Sequence, residues 1–348
     1  MRIATFQSLR FVFIMLIVFS HIIGKCFDYG GECGVSFFFM LSGFVLSLGY
    51  GDSVRAGQFS TRRFLLRQLS KFYPLHLLML VVFVVLDARL GVTYDWQHLL
   101  PSVLLLQSWI PFDEYYFVAN GSSWFLCDVL FFYLLFCLVF RWLHRLSLKG
   151  LLILSGVVLA VYLPLAFLIP LDMVNSILYA APWTRLIDFC MGILLCRLYQ
   201  SAVGERGRAQ ISHMNLSVAT RWELFTVLWL VFSFFLYESI TCRLRCAALF
   251  WLFIPPIILY YALADQQGGR VTRLLHHPVL QWLGGISLEI YLVHMLILRL
   301  VNSVALSAGV ENVIMTTTLS LGMIVLAAWL LKRFFVDKIY AFLIKSVI

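Results

Sequence analysis

The stretch SLRFVFIMLIVFSHIIG, residues 8–24, decides the fold class of this chain. It is apolar over nearly the roughly 20 residues that a helix needs to cross a bilayer. It nevertheless carries Arg10 near one end and His21 near the other. No small-residue cleavage pattern follows, because Ser20, His21 and Ile22 occupy that place. We therefore expect a retained membrane helix rather than a signal peptide.

The rest of the chain has the same character. Of its 348 residues, 62% are hydrophobic and 12% are charged, and the mean hydropathy is +0.93. This composition is typical of a polytopic membrane protein. Because the apolar stretches recur evenly, we predict one all-α membrane domain over residues 1–348. About ten transmembrane helices are expected, near residues 8–25, 34–50, 72–91, 123–143, 150–169, 181–199, 222–239, 245–264, 284–304 and 314–335.

The charge pattern predicts a topology. The net charge is +9, but the lysines and arginines form short clusters between the apolar stretches, which argues against a nucleic-acid-binding face. Placing the N-terminus in the cytoplasm puts about twenty of the 26 Lys and Arg on that side, so we expect both termini to be cytoplasmic. The eight cysteines form no CxxC pair and no Cys/His spacing typical of metal sites, so no metal is expected.

One further apolar run, Leu99 to Ile110, is too short to cross a bilayer and contains Pro101. It predicts a re-entrant or surface helix.

Arg10 and His21 are eleven residues apart, so on a helix they share one face at depths that differ by about 16 Å. Two interpretations are open. Arg10 can be a snorkelling anchor and His21 an interfacial polar cap. Alternatively the pair marks a reaction site, because ionisable groups within spans usually face a protein interior and histidine transfers protons near neutral pH.

Polar residues also recur in other predicted spans. In GGISLEIYLVH, Ser287, Tyr291 and His294 form one helical stripe that predicts a polar cavity, whereas Glu289 points away from His294. In NGSSWFLCDVLFFY, Asp128 lies one turn after Trp124. It is either a hydrogen-bond partner within the membrane or the group that orients a histidine.

A basic cluster precedes the apolar part of the third span. Arg63, Arg67 and Lys71 are spaced by four and therefore line one helix face. Such residues are either topology anchors or, together with Arg10, a clamp for the phosphates of a nucleotide-bearing donor. No P-loop or GxGxxG motif accompanies them.

Four motifs, taken in order, resemble the integral-membrane acyltransferase family 3, which includes O-antigen and other polysaccharide O-acetyltransferases. The first is Arg10 followed by His21. The others are GECGVSFFFMLSGFVLS at 31–47, RQLSKFYPL at 67–75 and LGGISLEIYLVH at 283–294. Ser36 stands where the family often has Asp, which leaves Glu32 and Asp128 as candidates for the carboxylate partner of His21.

The resemblance implies an O-acetyltransferase of the bacterial inner membrane. It would move an acyl group, usually acetyl, from acyl-CoA to a hydroxyl of a cell-surface carbohydrate or a lipid-linked sugar. His21 would be the general base or a transient acyl carrier. The remaining expected roles are catalytic for Arg10, Asp128 and Glu32, donor-binding for Arg63, Arg67 and Lys71, and cavity-lining for Ser42, Trp124, Ser287, Tyr291 and His294.

The expected partners are acyl-CoA, a carbohydrate acceptor and membrane lipid, without metal or nucleic acid. The sequence leaves open the acceptor, which can also be an antibiotic or a peptidoglycan precursor, and the acyl chain length. The main alternative function is a transporter or flippase that binds its substrate near the bilayer midplane, and a structural scaffold is a third.

Overall fold

The computed structural model describes residues 3–23, 27–309 and 312–347, and these residues form helices and no strands. The helices on which the site depends are α1 (Ala4–Ile23), α2 (Asp28–Arg55), α3 (Thr61–Arg89), α6 (Trp124–Arg145), α8 (Pro182–Tyr199) and α15 (Ser287–Ser307). The remaining helices are α4 (Trp96–Val103), α5 (Asp113–Tyr116), α7 (Leu148–Leu168), α9 (Ala202–Ser212), α10 (Leu216–Ser239), α11 (Cys242–Arg245), α12 (Phe250–Leu263), α13 (Arg270–Leu275), α14 (Pro278–Gly285), α16 (Val313–Leu331) and α17 (Asp337–Val347).

The polytopic all-α architecture predicted from the sequence is confirmed. In the described ranges, nine helices are long and apolar enough to cross a membrane. The segment Leu171–Tyr179 together with α8 makes a tenth, bent by 44° at the break. The third helix begins at Thr61, so Arg63, Arg67 and Lys71 lie on α3 itself. We call the end of the bundle at which α1 begins the near side, and the end at which α1 finishes the far side.

Helix α2 lies at the centre of the bundle. Of the 18 most apolar consecutive residues of α2, 67% are buried inside the protein. The corresponding share for α7 is 11%, so most of α7 lies on the outside of the bundle. Close packing of α2 on α8 depends on two glycines. A Cβ atom at Gly43 would lie 2.1 Å from the Phe189 carbonyl oxygen, and one at Gly192 would lie 1.8 Å from the Met40 carbonyl oxygen. Small residues permit this backbone approach between membrane helices.

The segment between α3 and α6 folds back into the protein from the far side. The Tyr73 hydroxyl donates to the Val103 carbonyl oxygen (2.9 Å), and His76 Nε2 lies 2.9 Å from the Ser102 carbonyl oxygen. Both side chains come from the middle of α3, so this segment reaches membrane depth, where irregular backbone is tolerated only if protein surrounds it. Of the two structures that the sequence left open for residues 99–110, the geometry favours the re-entrant one.

Candidate active site

Arg10 and His21 lie on one uninterrupted helix. Because α1 runs without a break from Ala4 to Ile23, their separation along its axis is about 16 Å. Arg10 is half-buried within the bundle, and His21 is exposed near the far end of the helix.

A cavity of about 250 Å³ opens between α1, α2, α3, α6 and α15. Its polar lining comes from side chains of all five helices, and it includes Arg10, Ser42, Lys71, Ser287 and Tyr291. All five were predicted from the sequence as site residues. The structure therefore brings the first, second, third and ninth predicted spans together around one space.

The near end of this cavity is basic. Arg10 and Lys71 both line it, and Lys71 Nζ donates to Gln68 Oε1 over 3.0 Å. Arg67 and Arg63 lie on the preceding turns of the same α3 face and are exposed to solvent. Of the three expected donor-binding residues, only Lys71 thus reaches the cavity wall. The positive charge of Arg67, which lies outside the cavity, acts on Lys71.

The His21 ring is held by its own helix. Its Nδ1 lies 2.8 Å from the Ile17 carbonyl oxygen. Because a carbonyl oxygen only accepts hydrogen bonds, Nδ1 carries the proton in the neutral ring, and the lone pair is on Nε2. His21 therefore presents a basic nitrogen away from α1.

His294 packs against His21. Their ring centroids are 5.0 Å apart, and His294 is fully buried. Its Nδ1 lies 2.6 Å from the Tyr291 carbonyl oxygen, whereas its Nε2 has no hydrogen-bond partner among the described residues. Within the α15 stripe, Ser287 and Tyr291 line the cavity and His294 lies beyond them. Glu289 points elsewhere, because it pairs with Lys332 at 3.3 Å.

Neither expected carboxylate partner meets His21. The structure records no hydrogen bond or ion pair, within the residues it describes, that joins His21 to Glu32 or Asp128. Glu32 lies near Tyr237 and Arg245, and Asp128 is fully buried near Arg185. Asp28, the exposed first residue of α2, is the carboxylate whose charge acts on His21.

Comparison with known proteins decides the family. The family model described as an acyltransferase domain matches residues 3–333. The chain belongs to the acyltransferase 3 family. It is 30% identical over 286 residues to the acyltransferase MdmB of Streptomyces mycarofaciens, an alignment that covers 77% of this chain and 68% of MdmB. No solved structure matches.

The acyltransferase contains a buried ionic cluster that the sequence reasoning missed. Arg185 on α8 pairs with Asp188 at 2.8 Å, and both side chains are fully buried. Arg185 also donates to Ser36 Oγ (2.8 Å) and to the Cys246 carbonyl oxygen (2.9 Å). The only hint in the sequence was an Arg and an Asp three residues apart inside an apolar stretch. Asp128 belongs to this cluster, which connects α2, α6 and α8.

Trp124 lies away from the cavity of this acyltransferase. Its ring packs on Tyr179 at 4.8 Å and on Phe39 at 6.3 Å, and it does not line the cavity. The expected cavity-lining role of Trp124 is therefore replaced by a packing role beside the α8 break, whereas its neighbour Phe125 lines the cavity.

Tyr291 and His294 separate the cavity of the acyltransferase from His21. The Tyr291 ring lies 5.8 Å from that of His294, and its hydroxyl donates to the Ser122 carbonyl oxygen over 2.7 Å. An unbroken series of ring contacts thus leads from the cavity wall to the exposed histidine. In the part of the chain that the structure describes, no three His, Cys, Asp or Glu side chains are placed to hold a metal ion.

Proposed function

We propose that this protein transfers an acyl group, acetyl in the simplest case, from acyl-CoA to a hydroxyl of a cell-surface carbohydrate or lipid-linked sugar. His21 is the general base of this reaction. The membership of the acyltransferase 3 family supports the reaction class. The donor, the acceptor and the role of His21 are our proposal.

One observation carries the proposal: basic groups line a cavity whose opposite wall is in ring contact with a histidine pair. Arg10 and Lys71 line the near end of the cavity, and the contacts of Tyr291 with His294 and of His294 with His21 lead from its wall to the far side. Cationic side chains suit the phosphates of coenzyme A. Arg10 and His21 are about 16 Å apart along α1, a distance that an extended pantetheine arm can cover. A donor held by the basic end of the cavity can therefore bring its thioester to the wall that Tyr291 forms beside the histidines.

The chemistry requires a base because a sugar hydroxyl is a poor nucleophile until its proton is removed. A positioned base typically contributes a factor of about 10² to 10⁴ to the rate. The hydrogen bond from Nδ1 to the Ile17 carbonyl oxygen leaves Nε2 of His21 as the nitrogen that accepts the proton. The exposure of His21 lets an acceptor approach it from the far side.

The proposal also needs a defined orientation of the protein in the membrane. The near side contains both termini of the described chain and most of the lysines and arginines, so the positive-inside rule assigns it to the cytoplasm. Acyl-CoA is a cytoplasmic metabolite, and the acceptor would then meet His21 at the outer face of a bacterial inner membrane.

The test uses inverted membrane vesicles that contain the protein. Radiolabelled acetyl-CoA is added outside, and a panel of methyl glycosides is enclosed in the lumen, which the far side of the protein faces. We expect label in a sugar fraction together with release of CoA thiol. His21→Ala should abolish both while leaving protein level and membrane insertion unchanged.

His144→Ala is the matched control. His144 also lies near a helix end, with Nδ1 at 3.0 Å from the carbonyl oxygen four residues earlier, but it packs on Phe140 away from the cavity. Its replacement should leave transfer intact. Full activity of His21→Ala would refute the role of His21. A wild-type protein that moves sugar without consuming acetyl-CoA would favour a flippase instead.

A further inference from the structure

His294 has the geometry of a second proton-carrying group. In the neutral ring its Nδ1 proton is donated to the Tyr291 carbonyl oxygen, so its lone pair is on Nε2. That nitrogen is fully buried and has no hydrogen-bond partner among the described residues. A buried polar atom without a partner is costly, and such sites in native proteins need an explanation.

The two histidines are arranged alike. In each ring the Nδ1–H group donates a hydrogen bond to a backbone carbonyl oxygen of its own helix. Nε2 therefore lies on the side of the ring that points away from that helix. The rings belong to neighbouring helices, and their centroids are 5.0 Å apart. His294 is fully buried, so a second imidazolium charge this close to it is repelled strongly. Besides the two Nδ1 protons, the pair therefore carries at most one further proton at a time.

The pair also bridges the two compartments of the site. His21 is exposed on the far side, where the acceptor arrives. His294 adjoins Tyr291, whose ring lines the cavity into which the donor enters. During transfer a proton must move from the acceptor oxygen to the departing sulfur, which is the direction from His21 toward His294.

We infer that His294 is a proton relay between His21 and the leaving thiolate, an inference that rests on the proposed acyl transfer. The acceptor O–H bond breaks as His21 Nε2 takes the proton and the oxygen bonds to the acyl carbon. His21 passes this proton to His294 Nε2. The carbon–sulfur bond breaks, and the coenzyme A sulfur takes the proton from His294. Both imidazoles return to the neutral form, and the products are the ester and free CoA thiol.

The test compares His294→Gln with wild type, following CoA release from acetyl-CoA with methyl glycosides as acceptors. We expect kcat to fall about 10²-fold with KM for acetyl-CoA unchanged, because the relay acts after the donor is bound. A kcat close to that of wild type would overturn the relay.

His76→Gln is the matched control. His76 is equally buried, has one ring nitrogen 2.9 Å from a backbone carbonyl oxygen and the other without a partner among the described residues. Its neighbouring ring is Tyr73 rather than a histidine. His76→Gln should therefore keep the wild-type kcat. If His294→Gln is not recovered as a monodisperse protein, His294→Asn takes its place.

A second donor separates a relay from a purely structural role. The thiolate of para-nitrothiophenyl acetate leaves without a proton, so its use should need His21 but not His294. We expect the loss in His294→Gln to shrink toward wild type with this donor and the loss in His21→Ala to persist. An equal loss on both donors would mean that His294 only holds His21 in place. If wild type releases no CoA at all, the proposed function fails; an active wild type with a normal His294→Gln refutes only the relay.

Discussion

Lys71 and Arg67 lie one turn apart on α3, yet their surroundings differ. Both side chains are exposed, but Lys71 lines the cavity beside Arg10, and Arg67 on the preceding turn does not. A charged group that contacts a ligand directly contributes about 1.5–3 kcal/mol, and a solvent-exposed charge without this contact contributes much less. The spacing of four residues predicts that both lie on one face, but only the packing of α3 on α15 and α6 decides which of them lines the cavity.

We therefore expect Lys71→Ala to raise KM for acetyl-CoA by about 10-fold or more, and Arg67→Ala to raise it less. Steady-state kinetics on vesicles would measure both values. Arg62→Ala, an exposed change off this face, is the control and should leave KM unchanged. An unchanged KM in Lys71→Ala would remove Lys71 from the donor site.

The buried charge of Arg185 is balanced by groups from several helices. Ser36, which the sequence comparison of motifs matched to a position where Asp was expected, accepts a hydrogen bond from Arg185. The charge of Arg185 is balanced instead by Asp188, with Asp128 nearby. The cationic neighbour of Asp128 is thus Arg185, which comes from a different span, and not a histidine that Asp128 could orient.

At the scale of elements, the packing of α2 on α8 positions the central wall of the site. Ser42 of α2 lines the cavity, and its neighbour Gly43 is in contact with the backbone of α8. Any side chain at Gly43 must push the two helices apart, since its Cβ would lie 2.1 Å from the Phe189 carbonyl oxygen.

Gly43→Ala should therefore destabilise the protein by about 1–3 kcal/mol and lower its Tm by a few degrees. Thermal unfolding of the purified protein in detergent would measure this change. Gly49→Ala is the control on the same helix, because a Cβ there meets no atom within 4 Å. Equal Tm values for the two variants would contradict the close packing of α2 on α8.

At the scale of the whole molecule, the proposed function requires the donor and the acceptor to arrive from opposite sides of the membrane. If the bent Leu171–Tyr179 and α8 pair counts as one span, the described helices cross ten times and return the chain to the near side. The clusters of Lys and Arg between spans predict that this side faces the cytoplasm.

Fusions would measure this orientation. Alkaline phosphatase inserted after Pro170, in the far-side connection between α7 and α8, should be active because the enzyme folds only outside the cytoplasm. The same insertion after Gly204 in α9 should be inactive, and a fluorescent protein fused to the C-terminus should fluoresce. The reverse pattern of activities would contradict the cytoplasmic placement of the near side, and with it the proposed direction of acyl transfer.

The sequence by itself determined the spans and the polar stripes on them. In lipid each helix must satisfy its own backbone hydrogen bonds, so hydropathy within one stretch decides whether it crosses, and the helical repeat decides that Arg10 and His21 share a face. Tertiary structure alone decided which faces meet. The periodicity of one helix does not encode its rotation against another, and only the packing of α15 on α1 places His294 beside His21. Packing likewise draws Asp128 and Glu32 away from that histidine and toward cationic side chains of α8 and α11, because a buried charge needs an opposite one nearby.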